Sequence, residues 1–440
     1  MTGKNTTRFR VAPGGKLAGR VRVPGDKSIS HRSIILGSLA EGITEISGFL
    51  EGEDSLATLA AFRAMGVAIE GPDGGRVRVH GVGLRGLKAP HEPLYLGNSG
   101  TSMRLMAGLL AGQAFDSQLT GDISLSSRPM KRVVEPLIRM GTQIAMTESG
   151  TAPLAIRGGM HLQGIDYLMP VASAQVKSCL LLAGLYASGR TCVTEPAPTR
   201  DHTERMLAGM GYPLQREDGR VCLEGGHVLR GIRIDIPSDI SSTAFFLVGA
   251  SIAPGSELTL EHVGMNPTRT GVIDILERMG ADIRIENRRE AGGEPVADLH
   301  VRSAPLRGIE IPPALVPLAI DEFPALFVAA ACASGRTVLT GAEELRVKES
   351  DRIQVMADGL TALGIDATAT PDGMIIEGGA FTGGIVDSQG DHRIAMAFAM
   401  AALRASGALE ILDCANVNTS FPGFAELAAS AGLGIEVERG

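Results

Sequence analysis

The apolar positions fall into two kinds of helical pattern. One kind is amphipathic: Ile353, Met356, Leu360 and Leu363 recur at helical spacing, with Gly364 as the stop. The other is apolar nearly all round, as in Phe323–Ala331 and Thr243–Ala250, which predicts helices buried on every side. The two kinds alternate. A buried helix ends in Gly, a short β-branched stretch follows, then a polar turn, an amphipathic helix and further strands. In the first copy, Ser33–Gly42 leads to Ile43–Ser47 and then to a helix over Asp54–Met65 that stops at Gly66. The later stops are Gly141, Gly211, Gly280, Gly364 and Gly434, roughly 70–85 residues apart, which suits a repeated βαβαββ unit.

Each buried helix opens with polar residues: Ser28-Ile29-Ser30, Asn98–Ser102, Ser173–Gln175, Asp239–Ser242, Asp321-Glu322 and Asp391–Arg393. Capping accounts for such residues singly. Six in parallel imply more: side-by-side helices would turn their N–H groups and dipoles to one surface, which suits an anionic ligand. Six units divide naturally into two lobes of three. Ile234–Ser238 marks one crossing between lobes and Val23–Asp26 another, so the N-terminal strand is expected to pair back with the second half. The expected division is residues 1–23 with 239–440 in one lobe and 24–238 in the other, with the site in the cleft between them.

Composition narrows the class. The 440 residues are 44% hydrophobic and 20% charged, as in globular proteins, and exceed one ordinary domain. A net charge of −8 and the absence of tryptophan argue against nucleic acid as partner. Met1–Lys16 has no apolar core of the signal-peptide kind, and no apolar run is long enough for a membrane span. Five scattered cysteines, with no CxxC pair, support neither a disulfide framework nor a structural metal. A cytoplasmic protein in a reducing compartment is expected.

Two lookalike motifs fail. Gly81–Gly86 matches GxGxxG, but Pro90 and Pro93 forbid the helix that must follow, and Gly25–Ser28 lacks the upstream glycine of a P-loop. Lysine is scarce, and Lys27, Lys177 and Lys348 lie in segments that look functional. Lys27 sits at a buried-helix N-terminus, where a cation needs an anionic partner. Arg128 precedes Pro129, which suits the first helical position. Lys348 and Arg352 fall four residues apart, with Glu349 beside them, as on one helix face. Asp321 and Glu322 suit a helix cap, and an ionised carboxylate there can also act as a general base.

Together, Gly25–Arg32, Gly97–Arg104, Ser127–Met130, Ser173–Ser178, Thr199–Glu204, Asp239–Phe245, Asp321–Pro324, Arg346–Ile353 and Asp391–Met396 closely resemble the EPSP synthase family, from about Gly19 to Phe424. The resemblance implies two similar α/β lobes of three units each, an inside-out α/β barrel closing on substrate. It implies transfer of the enolpyruvyl group of phosphoenolpyruvate to the 5-hydroxyl of shikimate 3-phosphate, with no metal or organic cofactor, by a cytoplasmic monomer. In the family's pattern Lys27, Ser28, Arg32, Ser173, Ala174, Gln175, Arg200, Asp321 and Lys348 would hold shikimate 3-phosphate. Lys27, Gly100, Arg128, Gln175, Arg352 and Arg393 would hold phosphoenolpyruvate. Asp321 would take the hydroxyl proton, and Glu349 with Lys27 would manage the proton added to the methylene carbon. Ala174, Leu105, Thr419 and Glu344 depart from the best-known branch and resemble a second bacterial branch noted for glyphosate tolerance, whereas Gly100 implies sensitivity. The related UDP-N-acetylglucosamine enolpyruvyl transferases typically carry a loop cysteine in a region matching Leu110–Ser126, where this chain has none. A non-catalytic scaffold of this fold would have lost the charged residues.

Overall fold

A computed structural model describes residues 7–439. Residues 1–6, part of the stretch read above as lacking a leader, lie outside it. The chain forms two compact units. Of the described residues, the terminal unit holds 7–24, Pro237–Glu290 and 295–439; the central unit holds Gly25–Ile236 and Ala291–Glu294. Each has its own apolar core.

The central unit carries three four-stranded sheets of one design. In the second, Leu94–Tyr95 runs parallel to Ser117–Thr120, then Leu154–Ile156 and Ile144–Ala145 add on antiparallel. The third repeats this with Asp166–Leu168, Arg190–Thr194, Arg220–Glu224 and Gln215–Glu217. A parallel pair needs a crossover, and a buried helix supplies it: Gly100–Ala111 for the second sheet, Ala174–Gly184 for the third. These two helices cross at Gly108, where a Cβ would lie 2.0 Å from the carbonyl oxygen of Cys179, so only glycine allows the approach.

The first sheet is completed from a distance. Glu41–Ser47 takes as its parallel neighbour Arg233–Asp235, the last strand of the central segment. The terminal unit mirrors this, with Ala18–Val21 parallel to Glu257–Gly264. Each of these two edge strands therefore precedes a buried helix of the other unit: Lys27–Leu39 follows Ala18–Val21, and Ile240–Ile252 follows Arg233–Asp235. In the terminal unit's last sheet, Thr7–Val11 lies between Leu409–Leu412 and Ile435–Arg439, antiparallel to both. The remaining sheet has three strands, with parallel bridges at Arg307 and Glu310 in place of the fourth.

The helix stops at Gly66, Gly141, Gly211, Gly280 and Gly364 all have positive φ, the conformation in which a helix C-terminus ends most readily on glycine. The sixth stop is not Gly434. The Phe424–Ala431 helix ends at Gly432, with φ 116°. Cys192 and Cys222 also differ from expectation: they face each other across adjacent antiparallel strands and form a disulfide. Strand register, invisible in cysteine spacing, brings them together. Among the described residues, no helix is long and apolar enough to cross a membrane.

Candidate active site

The residues singled out above fall into two groups, one on each unit. In the terminal unit they gather at the start of the Phe323–Cys332 helix. Asp321 and Glu322 were expected to cap it, but neither side chain does. Glu322 turns instead to Ser241, and Asp321 faces two cations, with Lys348 Nζ and Arg352 Nη1 each 3.4 Å from its Oδ1. Opposite charges at this range favour the ionised carboxylate.

Lys348 and Arg352 do not share a helix face. Lys348 follows a 3₁₀ turn over Glu343–Val347, and Arg352 opens the next helix, Arg352–Ala362, capped by Asp351. The bend between them brings both cations to one carboxylate. Arg352 is fully buried and also donates to Glu349 at 2.6 Å and Asp391 at 2.8 Å. Burial opposes its charge, but Asp391, Glu349 and Asp321 outweigh that and push its pKa up. Arg393 donates to the backbone oxygen of Asp321 at 3.1 Å. Glu344, one of the departures from the family's best-known branch, accepts from Lys348 at 3.1 Å. Thr419, another, is buried and bonded to the Asn416 carbonyl.

In the central unit the group sits at the openings of three buried helices. Asp26, not the Ser28 segment, caps the first by accepting from the Ile29 N–H. Lys27 follows, paired with Asp54 at 2.5 Å, and Ser28 uses its backbone oxygen to accept from Arg32. Arg32 is buried and also donates to Thr203 and Ser178, tying three helices together. Ser99 and Ser173 cap the other two helices. Gly100 leaves space where a Cβ would lie 3.1 Å from Arg104 Nη1 and 3.2 Å from Arg128 Nη1. Arg128 ends a short helix, Ile123–Ser127, and donates to Asn98 and Ser124; the next helix starts at Lys131, so Pro129 is not a first helical residue. Gln175 is fixed at both ends of its amide, accepting from Arg104 and donating to Thr101 at 3.0 Å. Ala174 opens its helix and has no side-chain polar group to offer. Arg200 is half-buried in the loop before the His202–Gly209 helix.

Lys177 proves to be internal, bonded to Glu195 at 2.9 Å and Glu204 at 2.8 Å. Behind Ser99, His31 is fully buried among Thr58, Ser102 and Ser99. Burial, then Lys27 and Arg32, hold its pKa well below the usual histidine value, so it is neutral. Sequence reasoning missed Asp54 and Asp391 as partners of site cations, and Arg104 as the partner of Gln175. Arg104 and Asp391 lay within recognised motifs; Asp54 carried no signal beyond an acidic first turn. Among the described residues, no cluster of His, Cys, Asp and Glu could hold a metal ion.

The terminal unit offers carboxylates beside Lys348 and Arg352, and the central unit offers cations at the capped openings of its buried helices. The first group can deprotonate a hydroxyl, and the second can hold phosphate or carboxylate groups. The chain matches the family model described as EPSP synthase (3-phosphoshikimate 1-carboxyvinyltransferase) over residues 11–427. It is 72% identical over 429 residues to the 3-phosphoshikimate 1-carboxyvinyltransferase of Methylococcus capsulatus, covering 98% of both chains. It is also 72% identical to that of Alkalilimnicola ehrlichii, covering 97% of this chain and 96% of the other. The solved EPSP synthase of Acinetobacter baumannii is 60% identical and superposes with a TM-score of 0.89 over 98% of this chain and 100% of that one. A repeat that runs through both units, the quoted motifs, and likeness along nearly the whole length agree: the chain belongs to the EPSP synthase family.

Proposed function

We propose that this protein transfers the enolpyruvyl group of phosphoenolpyruvate to the 5-hydroxyl of shikimate 3-phosphate, a step of the shikimate pathway. The observation that carries the assignment within the site is Asp321, a carboxylate that opens a buried helix, leaves it uncapped and faces Lys348 and Arg352. Asp321 takes the hydroxyl proton as the oxygen attacks C2 of phosphoenolpyruvate. The methylene carbon gains a proton under the control of Glu349 and Lys27, giving a tetrahedral intermediate. Loss of a proton from the new methyl group then expels phosphate and restores the double bond.

Lys27, Arg128, Gln175, Arg352 and Arg393, with the space at Gly100, hold phosphoenolpyruvate in this reading. Lys27, Ser28, Ser173, Gln175, Arg200, Asp321 and Lys348 hold shikimate 3-phosphate. Arg32 already has three partners within the protein, so it acts by fixing the helices that carry Lys27 and Ser173. The catalyst is a cytoplasmic monomer that acts with its own side chains alone. Phosphate release should require both substrates. Release with either alone, or with UDP-N-acetylglucosamine replacing shikimate 3-phosphate, would overturn the assignment.

A further inference from the structure

Lys27 has a counterion that the reaction just described does not use. Its Nζ lies 2.5 Å from Oδ2 of Asp54, in the first turn of the Glu53–Ala64 helix. Asp54 is only 3% exposed, and its other oxygen, Oδ1, is buried without a hydrogen-bond partner. A buried carboxylate oxygen left unpaired is unfavourable. Lys27 and the positive end of the helix dipole face this carboxylate. Its effect reaches the adjacent Glu53, whose carboxyl is pushed up by burial and then by Asp54. An anion this close to a phosphate-binding cation weakens that cation's hold on any second anion.

We propose that Asp54 is a positioning residue that restrains Lys27 and lowers its affinity for phosphate, so that the phosphate product is released. The inference rests on the reading of Lys27 as a phosphoenolpyruvate contact. A phosphate bound to the same ammonium stands some 6 Å from the carboxylate. At an effective dielectric of about 20, unit charges at that range change an affinity by roughly ten- to a hundredfold before screening. A purely structural ion pair predicts the opposite sign, because losing it would loosen Lys27 and weaken every ligand that Lys27 holds.

The test is inhibition by inorganic phosphate, competitive with phosphoenolpyruvate, in Asp54→Asn. The inhibition constant and the KM for phosphoenolpyruvate should each fall about tenfold, and kcat should fall with them. Unchanged or weaker phosphate inhibition in the folded variant overturns the inference. Asp54→Ser carries the same expectation and is read in its place if the Asn variant does not fold. Lys27→Met separates the two layers. If it leaves phosphate inhibition unchanged, Lys27 is not a phosphate contact and the underlying reading fails. If it weakens inhibition while Asp54→Asn does not tighten it, only the role of Asp54 fails.

Discussion

Replacing Asp321 by Asn should abolish most turnover while leaving the unit folded, and the contacts allow both effects to be sized. The substitution keeps volume and removes one charge. Arg393 bonds to the backbone oxygen of residue 321, which is unchanged. Arg352 loses the longest of its three carboxylate contacts, 3.4 Å, and keeps those at 2.6 and 2.8 Å. Lys348 keeps Glu344 at 3.1 Å. Because Asp321 does not cap its helix and its side chain is 15% exposed, the stability cost should be about 1 kcal/mol. Loss of a general base costs about two to four orders of magnitude in rate. At 1.36 kcal/mol per tenfold, that is roughly 2.7–5.4 kcal/mol of barrier, well above the stability term. Three measurements check this: initial phosphate release with both substrates saturating, calorimetric titration with shikimate 3-phosphate, and urea denaturation. Binding should stay within about tenfold of the parent, the size of one lost hydrogen bond. A kcat within tenfold of the parent, or binding that falls as far as turnover, would refute the assignment.

Lys177→Met would leave Glu204 buried and the half-buried Glu195 beside it without their shared cation and should cost about 3 kcal/mol, read from the urea midpoint; an unchanged midpoint contradicts this. Gly100→Ala places a methyl 3.1 Å from Arg104 and 3.2 Å from Arg128, so the KM for phosphoenolpyruvate should rise about tenfold, and inhibition by the longer glyphosate should fall further. Because His31 is held below the ordinary histidine value of 6.5, the unfolded chain takes up that proton first, and stability should fall as pH drops below 6.5 toward the folded value; His31→Gln should show a shallower slope in acid denaturation. Burial pushes the thiols of Cys179, Cys332 and Cys414 up to about 12, so they should resist a thiol reagent at pH 8 in the native protein. After unfolding without reductant those three should react, and five reactive thiols would show Cys192 and Cys222 unbonded.

The repeat and the buried helices lay in the sequence, because each rests on local physics. An all-round apolar run such as Phe323–Ala331 has nowhere stable to sit but a core, and a glycine with positive φ after Leu363 ends a helix wherever it occurs. The polar openings were equally local, since free N–H groups at a helix start attract the same few residue types. What failed locally failed at ends: the cap at Asp26, the stop at Gly432, and the bend that keeps Lys348 off the helix of Arg352.

Partnership was decided by the tertiary structure. No spacing rule links Arg233–Asp235 to Glu41–Ser47, or Cys192 to Cys222; strand register does. Lys27, Lys177 and Lys348 looked alike in the chain, as scarce lysines in polar segments. The fold gave Lys177 two internal carboxylates, Lys27 the buried Asp54, and Lys348 a place beside Asp321. The reason is the range of the forces. Helix patterning and capping act within a few residues and can be read along the chain, whereas an ion pair depends on distances that only packing sets, and packing joins residues with no fixed separation in sequence.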